Sequence, residues 1–354
     1  MNSGNFSGFL RRYGTLIVLI VPLILIALFA YLIGQVVLQR IVIVMFINLI
    51  LVLSLQMFTG NSGVVSFGHI AFMGIAAYAS ALLSMTPEAK AAALREGYSF
   101  IEQLHMAFVP ALIGGALVTA VFAAVVGFPL VRLSGAAAVI ATFALLMIVH
   151  NVLINWSEVT NGPRIIFGIE GYTTLWISLT VGLISLVTAY LFKETALGLK
   201  LRASREDEQA AASIGINIII VRWVAFFLSA FIAGLAGGLW AHFITIFSPI
   251  AFYLTQTFLV ITMLIVGGMG SVSGAVVGTI TITAIFEGLR AIENTVNMSN
   301  LIPGSLAGFT ELMLAAVLIV LLIRRPAGIT GGKEIRLPDR WTGRAAKKGQ
   351  VDKA

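Results

Sequence analysis

A chain of 354 residues that is 59% hydrophobic and only 10% charged is not a water-soluble domain, whose charged share is about 25%. It contains no cysteine, which excludes a disulfide framework, a thiolate nucleophile and a Cys-ligated metal. Its formal charge of +7 fits a membrane protein gathering Lys and Arg on its cytoplasmic side better than a nucleic-acid binder.

Ten stretches are apolar and long enough to cross a hydrocarbon core about 30 Å thick, which takes about 20 helical residues. In chain order the predicted spans are 14–33, 41–59, 64–84, 107–128, 134–155, 172–192, 223–241, 252–267, 275–290 and 306–323. The first follows Arg11 and Arg12 as a secretory signal would. It is longer than the about 7–15 apolar residues of such a signal, and no A-x-A cleavage site follows it. Pro22 predicts a kink in this span, and the fourth is expected to end near Pro129. The loop over 86–106 mixes Glu88, Lys90, Arg95, Glu96 and Glu102 and predicts a short helix. Between the eighth and ninth spans runs a Gly/Ser-rich stretch, Gly267 to Gly278, where a broken or re-entrant segment is an alternative. The fold class is therefore all-α and polytopic, with about ten transmembrane helices in one domain over 1–326. The polar, basic stretch 327–354 reads as a disordered tail near anionic headgroups.

Lys and Arg set the orientation. With the N-terminus inside and ten alternating spans, only Arg40, Lys90, Arg95, Arg164 and Arg290 of the 22 basic residues fall outside. Both termini are then cytoplasmic. Trp223 and Trp240 bracket the seventh span about 25 Å apart, as interfacial aromatics should.

Catalytic signatures are absent. There is no G-x-x-x-x-G-K-[ST] phosphate loop, no H-E-x-x-H and no G-x-S-x-G in a strand–turn–helix setting. His69, His105, His150 and His242 sit in separate segments, so nothing points to a metal or a resident cofactor. The most informative polar segment is the cytoplasmic loop over 193–217. Ser204 followed by Asp207 reads as a capping-box-like start. Glu206, Asp207 and Glu208 suit the positive end of a helix dipole, three alanines follow, and Gly215 suits a left-handed stop. A short extramembrane helix over about 205–213 is predicted. Ala210, Ala211, Ile214 and Ile216 give it a small apolar side that either docks into a groove on another protein or floats at the interface.

At this point the chain resembles a known family. Glu206 to Gly215 (EDEQAAASIG) looks like a variant of the EAA loop of ABC importer permeases. Gly60 to Tyr78 (GNSGVVSFGHIAFMGIAAY), Ile265 to Gly278 (IVGGMGSVSGAVVG) and Ala233 to Trp240 (AGLAGGLW) agree with it. Together they resemble the branched-chain amino acid permease family, in its longer M-type, from about residue 40 to residue 330. The stretch after Arg132 and the sequence from Thr160 to Pro163 depart from the family pattern and leave the substrate open. The resemblance implies an ABC importer permease fold in a bacterial inner membrane, carrying Leu, Ile, Val or a similar small solute inward. It implies four partners: a second permease subunit, two ATPase subunits that hold ATP and Mg, and a periplasmic substrate-binding protein. It also implies that Arg205, Glu206, Asp207, Glu208, Ala210, Ala211 and Gly215 belong to the coupling helix.

Other residues remain open between readings. Gly234/Gly238, Gly270/Gly274 and Gly274/Gly278 are small-xxx-small spacings for close helix packing. A sharper alternative makes Gln56, Asn61, Ser66, His69, Gly267, Gly268 and Gly270 part of a translocation pathway through two broken segments. Asn48, Gln56, Asn61, Ser66 and His69 must in any case face protein or a wet cavity. Glu311 falls within the tenth span, where an acid at the centre costs about 2.5–3.5 kcal/mol. With His69 or His150 it is the only support for an ion-coupled secondary transporter. A urea or short-amide ABC permease is the closer alternative.

Overall fold

A computed structural model describes residues 3–94, 97–298 and 308–335. It contains α1 (Ser3–Ile33), α2 (Val36–Leu55, continued by a π-turn Gln56–Gly60), α3 (His69–Ser84), α4 (Pro87–Ala93) and α5 (Ser99–Gln103). Next come α6 (Phe108–Leu130), α7 (Gly135–Asn155), α8 (Ser157–Thr160), α9 (Leu175–Glu194), α10 (Ala196–Glu206) and α11 (Glu208–Ser213). The last are α12 (Ile218–Ile244), α13 (Leu254–Gly267, preceded by a 3-10 turn Pro249–Phe252), α14 (Val272–Met298) and α15 (Phe309–Arg324). Among the described residues the only strand-like pairing is one antiparallel bridge, Ile166 with Phe247.

Eight of these helical segments are long and apolar enough to cross a membrane, and His69–Ser84 and Phe309–Leu321 are shorter apolar helices. Each of the ten predicted spans meets one of the ten. The end of the bundle carrying α10 and α11 is the cytoplasmic end by the Lys/Arg asymmetry.

The centre is α12, packed on α6, α3 and α2; α2 in turn packs on α9, α13 and α14. Lipid is as apolar as leucine, so helices associate here by close approach of small residues rather than by hydrophobic burial. α12 supplies these along its buried face: Ala230, Ala233, Gly234, Gly237 and Gly238. A Cβ on Gly234 would lie 2.8 Å from the Ala116 Cα of α6. α13 and α14 are two antiparallel helices rather than one re-entrant segment, and they touch more closely still. A Cβ on Gly267 or Gly278 would collide with the Gly274 or Met263 carbonyl oxygen. α1 lies at the edge, with Leu25, Phe29 and Leu32 exposed to what is hydrocarbon in a bilayer.

Several sequence expectations are corrected. The third helix begins at His69, not 64, because Gly63 takes a left-handed φ of +77° and residues 63–66 are not helical. The fourth helix does end near Pro129, which lies in the last turn of α6, one residue before its end. The outer loop holds two short helices, α4 and α5. They are held by the buried Lys90 ammonium, which donates to the Ile101 and Leu104 carbonyls. Glu311 is not deep in a span but exposed in the first turn of α15, near the outer end. Residues 327–335, the start of the expected tail, fold back onto α13 and α14. Arg95, Glu96 and residues 336–354 lie outside the described residues, as does the start of the expected tenth span.

Two glycines of α14 give a paired test of this packing. Gly278→Ala forces α13 from α14 and lowers stability by about 1–3 kcal/mol or more, as overpacking does. Gly288→Ala, with open space around its Cβ, leaves stability unchanged or raised. Thermal unfolding in detergent separates the two variants.

Candidate functional site

At the cytoplasmic end α9 runs into a pair of short helices. The Thr195 hydroxyl caps α10, accepting from the Gly198 amide at 3.2 Å. The chain then breaks at Asp207, whose extended backbone (φ −154°, ψ 114°) separates α10 from α11. Asp207 Oδ1 accepts from the Ala210 amide at 2.9 Å, so Asp207 caps α11. The expected capping residue Ser204 instead donates to the Leu201 carbonyl at 2.8 Å, and the helix starts at Glu208 rather than 205. Gly215 (φ +84°) ends it in a Schellman turn, with its amide on Ala212 O at 3.0 Å and that of Ile216 on Ala211 O at 3.1 Å.

These caps hold a small helix out of the membrane domain. Glu206, Asp207, Ala210 and Gly215 are exposed, and Ile214 is 75% exposed. Ala211 points the other way and is buried. Two charged side chains tie the pair back to the bundle. Glu208 pairs with Arg222 on the first turns of α12. Arg205 Nη1 donates to the Gly60 carbonyl at 2.7 Å, at the end of the α2 π-turn. Arg205 and Glu208 therefore serve as anchors of the helix pair, while its outer face is made by the others.

The residues singled out for a pathway fall into two groups. Around the π-turn, α3 starts inside the bundle, and its first residue His69 is buried. Ser229 already donates to the Phe226 carbonyl, so His69 Nε2 donates to Ser229 Oγ at 3.1 Å and Nδ1 accepts from Ser66 Oγ at 3.0 Å. Phe58, Phe72 and Phe226 surround the ring. Asn61 Nδ2 donates to the Met57 carbonyl at 2.9 Å. The buried Gln56 amide has no hydrogen-bond partner among the described residues. Such π-turns are frequent at functional positions.

The second group, Gly267, Gly268 and Gly270, forms the cytoplasmic turn between α13 and α14. Gly268 adopts φ +114°, and the Gly270 carbonyl accepts from Lys193 Nζ at 3.0 Å. Lys193 also pairs at 2.5 Å with Glu334, from the segment that folds back, and both side chains are largely buried. Breaking a buried pair by removing one partner costs about 3–5 kcal/mol. Burial alone would raise the Glu334 carboxyl. The Lys193 charge and hydrogen bonds from Lys193 and Ser273 overcome this and hold it below its ordinary value of 4.5.

The two groups are thus bridged at the cytoplasmic end, by Arg205 on Gly60 and Lys193 on Gly270. Sequence reasoning missed Lys193, Arg222 and Glu334, because partners distant in the chain leave no local spacing. Elsewhere, a cavity of about 470 Å³ opens between α3, α5, α6, α7 and α8. It is lined by apolar side chains such as Leu83, Phe122 and Val152, and no charged one borders it to receive an ammonium or carboxylate. No group of three His, Asp or Glu that could hold a metal occurs among the described residues.

The family described as the branched-chain amino acid transport system permease component matches residues 37–322. The high-affinity branched-chain amino acid transport system permease protein LivM of Salmonella typhimurium is 27% identical over 317 residues, covering 80% of this chain and 67% of the relative. The Escherichia coli protein of the same name gives the same figures. A nucleoside ABC transporter permease, NupC of Lactococcus lactis, is 24% identical, over 40% of this chain and 44% of its own length. No solved structure matches the chain.

The Glu334 contacts carry a pH dependence. A depressed carboxylate adds stability that is present above its unfolded value of 4.5 and lost as pH falls through the lower folded value. Docking of residues 327–335 is therefore constant above about pH 5 and weakens in more acid solution. Loss of amide protection at Ile329 and Thr330, followed by hydrogen exchange between pH 6 and pH 3, reads it directly.

Proposed function

The chain belongs to the branched-chain amino acid transport permease family, and we propose that it is one of two membrane subunits of an ATP-driven importer. It is a multi-pass membrane protein and a transport permease subunit of the LivM type. The proposed cargo is leucine, isoleucine or valine, moved inward across a bacterial inner membrane. A related permease completes the membrane unit, two ATPase subunits holding ATP and Mg dock on its cytoplasmic end, and a periplasmic binding protein delivers the solute.

The observation that carries this reading is α11. A six-residue helix capped at both ends, exposing Ile214 and Ala210 while anchored through Arg205 and Glu208, is a rigid lever with a free apolar face. A partner closing on ATP pushes that face. The push passes through Arg205 to the α2 π-turn and through Arg222 to α12, the central helix. Helices joined by glycine and alanine contacts then tilt as rigid bodies. The ion-coupled alternative loses its main support, since Glu311 lies in an outer first turn and His69 has both ring nitrogens engaged.

Ile214→Asp tests the lever without disturbing the bundle, because this side chain is exposed. Co-purification of the ATPase subunits and ATP-dependent leucine uptake in proteoliposomes both fall strongly, while thermal stability of the permease stays near wild type. Uphill uptake by this chain alone under an ion gradient, with no ATPase present, overturns the reading.

A further inference from the structure

We infer that residues 327–335 are a strap, with Glu334 as its positioning residue, that makes the coupling loop and the α13–α14 turn move as one body; this rests on the permease reading. The strap first completes the end of α13. The last carbonyls of a helix have no partner within it. Here the Ile329 amide donates to Val266 O at 2.8 Å and that of Thr330 to Gly267 O at 3.1 Å. Thr330 Oγ1 also donates to Gly267 O at 2.8 Å and lies 3.1 Å from Ser271 Oγ. Gly328 packs directly on the Gly268 backbone, where any side chain would collide.

The strap then caps α14 from outside that helix. Glu334 accepts from the Val272 and Ser273 amides, each at 2.9 Å, and from Ser273 Oγ at 2.6 Å. A carboxylate at this end meets both the free amides and the positive end of the helix dipole. The oxygen bonded to Val272 also receives Lys193 Nζ. Lys193 stands in the last turn of α9, two residues before the cap that opens α10 and the coupling loop. One carboxylate therefore joins three elements: the lever's root, the N-terminus of α14 and the strap.

The experiment uses the complete transporter, the permease pair with its ATPases and binding protein, in proteoliposomes. The chain has no native cysteine, so spin labels are placed at Ser213→Cys on α11 and Gly288→Cys on α14. With native Glu334 the distance between them is narrowly distributed and does not change when ATP is added. In Glu334→Ala it broadens, and labelled leucine taken up per ATP hydrolysed falls several-fold while the ATPases still co-purify. Glu334→Gln, which keeps an acceptor for α14 but loses the charge facing Lys193, falls between the two and covers the case in which the alanine variant does not fold. An unchanged distance distribution in both variants overturns the strap. Broadened distances with native uptake per ATP overturn its part in coupling. Failure of the native transporter to take up leucine counts against the permease reading, while the distances still decide the strap.

Discussion

Inside a bilayer no water is present to satisfy a backbone that leaves the helix, so every break must be sealed by the protein itself. This constraint organises the molecule. In the membrane domain the chain leaves α-helical geometry at the π-turn and residues 63–66, and at its cytoplasmic end at Gly268–Ser271. Polar groups brought from elsewhere close these breaks: Arg205 on the Gly60 carbonyl, and Lys193 with Glu334 on the α13–α14 turn. The seals cluster at the cytoplasmic end, where long basic side chains reach inward while their helices stay at the surface.

The seals also connect. Arg205 and Lys193 belong to one continuous stretch, α9 through α10, yet they grip two different breaks. A displacement of that stretch cannot leave both breaks undisturbed. Deeper in the bundle, glycine and alanine contacts along α12, α13 and α14 leave no slack between backbones, so small shifts at the cytoplasmic end pass on as rigid-body motion. The buried polar groups further in act differently. His69, held between Ser66 and Ser229 inside a ring of phenylalanines, pins the start of α3 to α12. The Gln56 amide and Asn61 Oδ1 are among the buried polar groups left without a partner among the described residues.

Much of this was legible in the residues. Apolar runs gave the spans, because a bilayer demands about 20 residues of low polarity whatever they pack against. The short helix α11 was visible for an equally local reason: acids, alanines and a glycine in that order favour one short helix with a left-handed stop. Its first residue was misplaced because Ser204 and Asp207 are both good caps, and the choice fell to the break in φ and ψ at Asp207. The glycine spacings pointed to close packing, and close packing is what α13 and α14 show.

The sequence by itself determined the solvent, the spans and the position of the short helix α11, since each depends on neighbours within a few turns. Only the tertiary structure decided which groups seal the breaks. Lys193 and Glu334 are far apart in the chain, and nothing in either one's surroundings marks the other. The return of residues 327–335 was likewise invisible: a polar, glycine-containing stretch reads as solvated until the open ends of two helices are found beside it. Long-range polar pairs are chosen by geometry, and geometry exists only after the helices have packed.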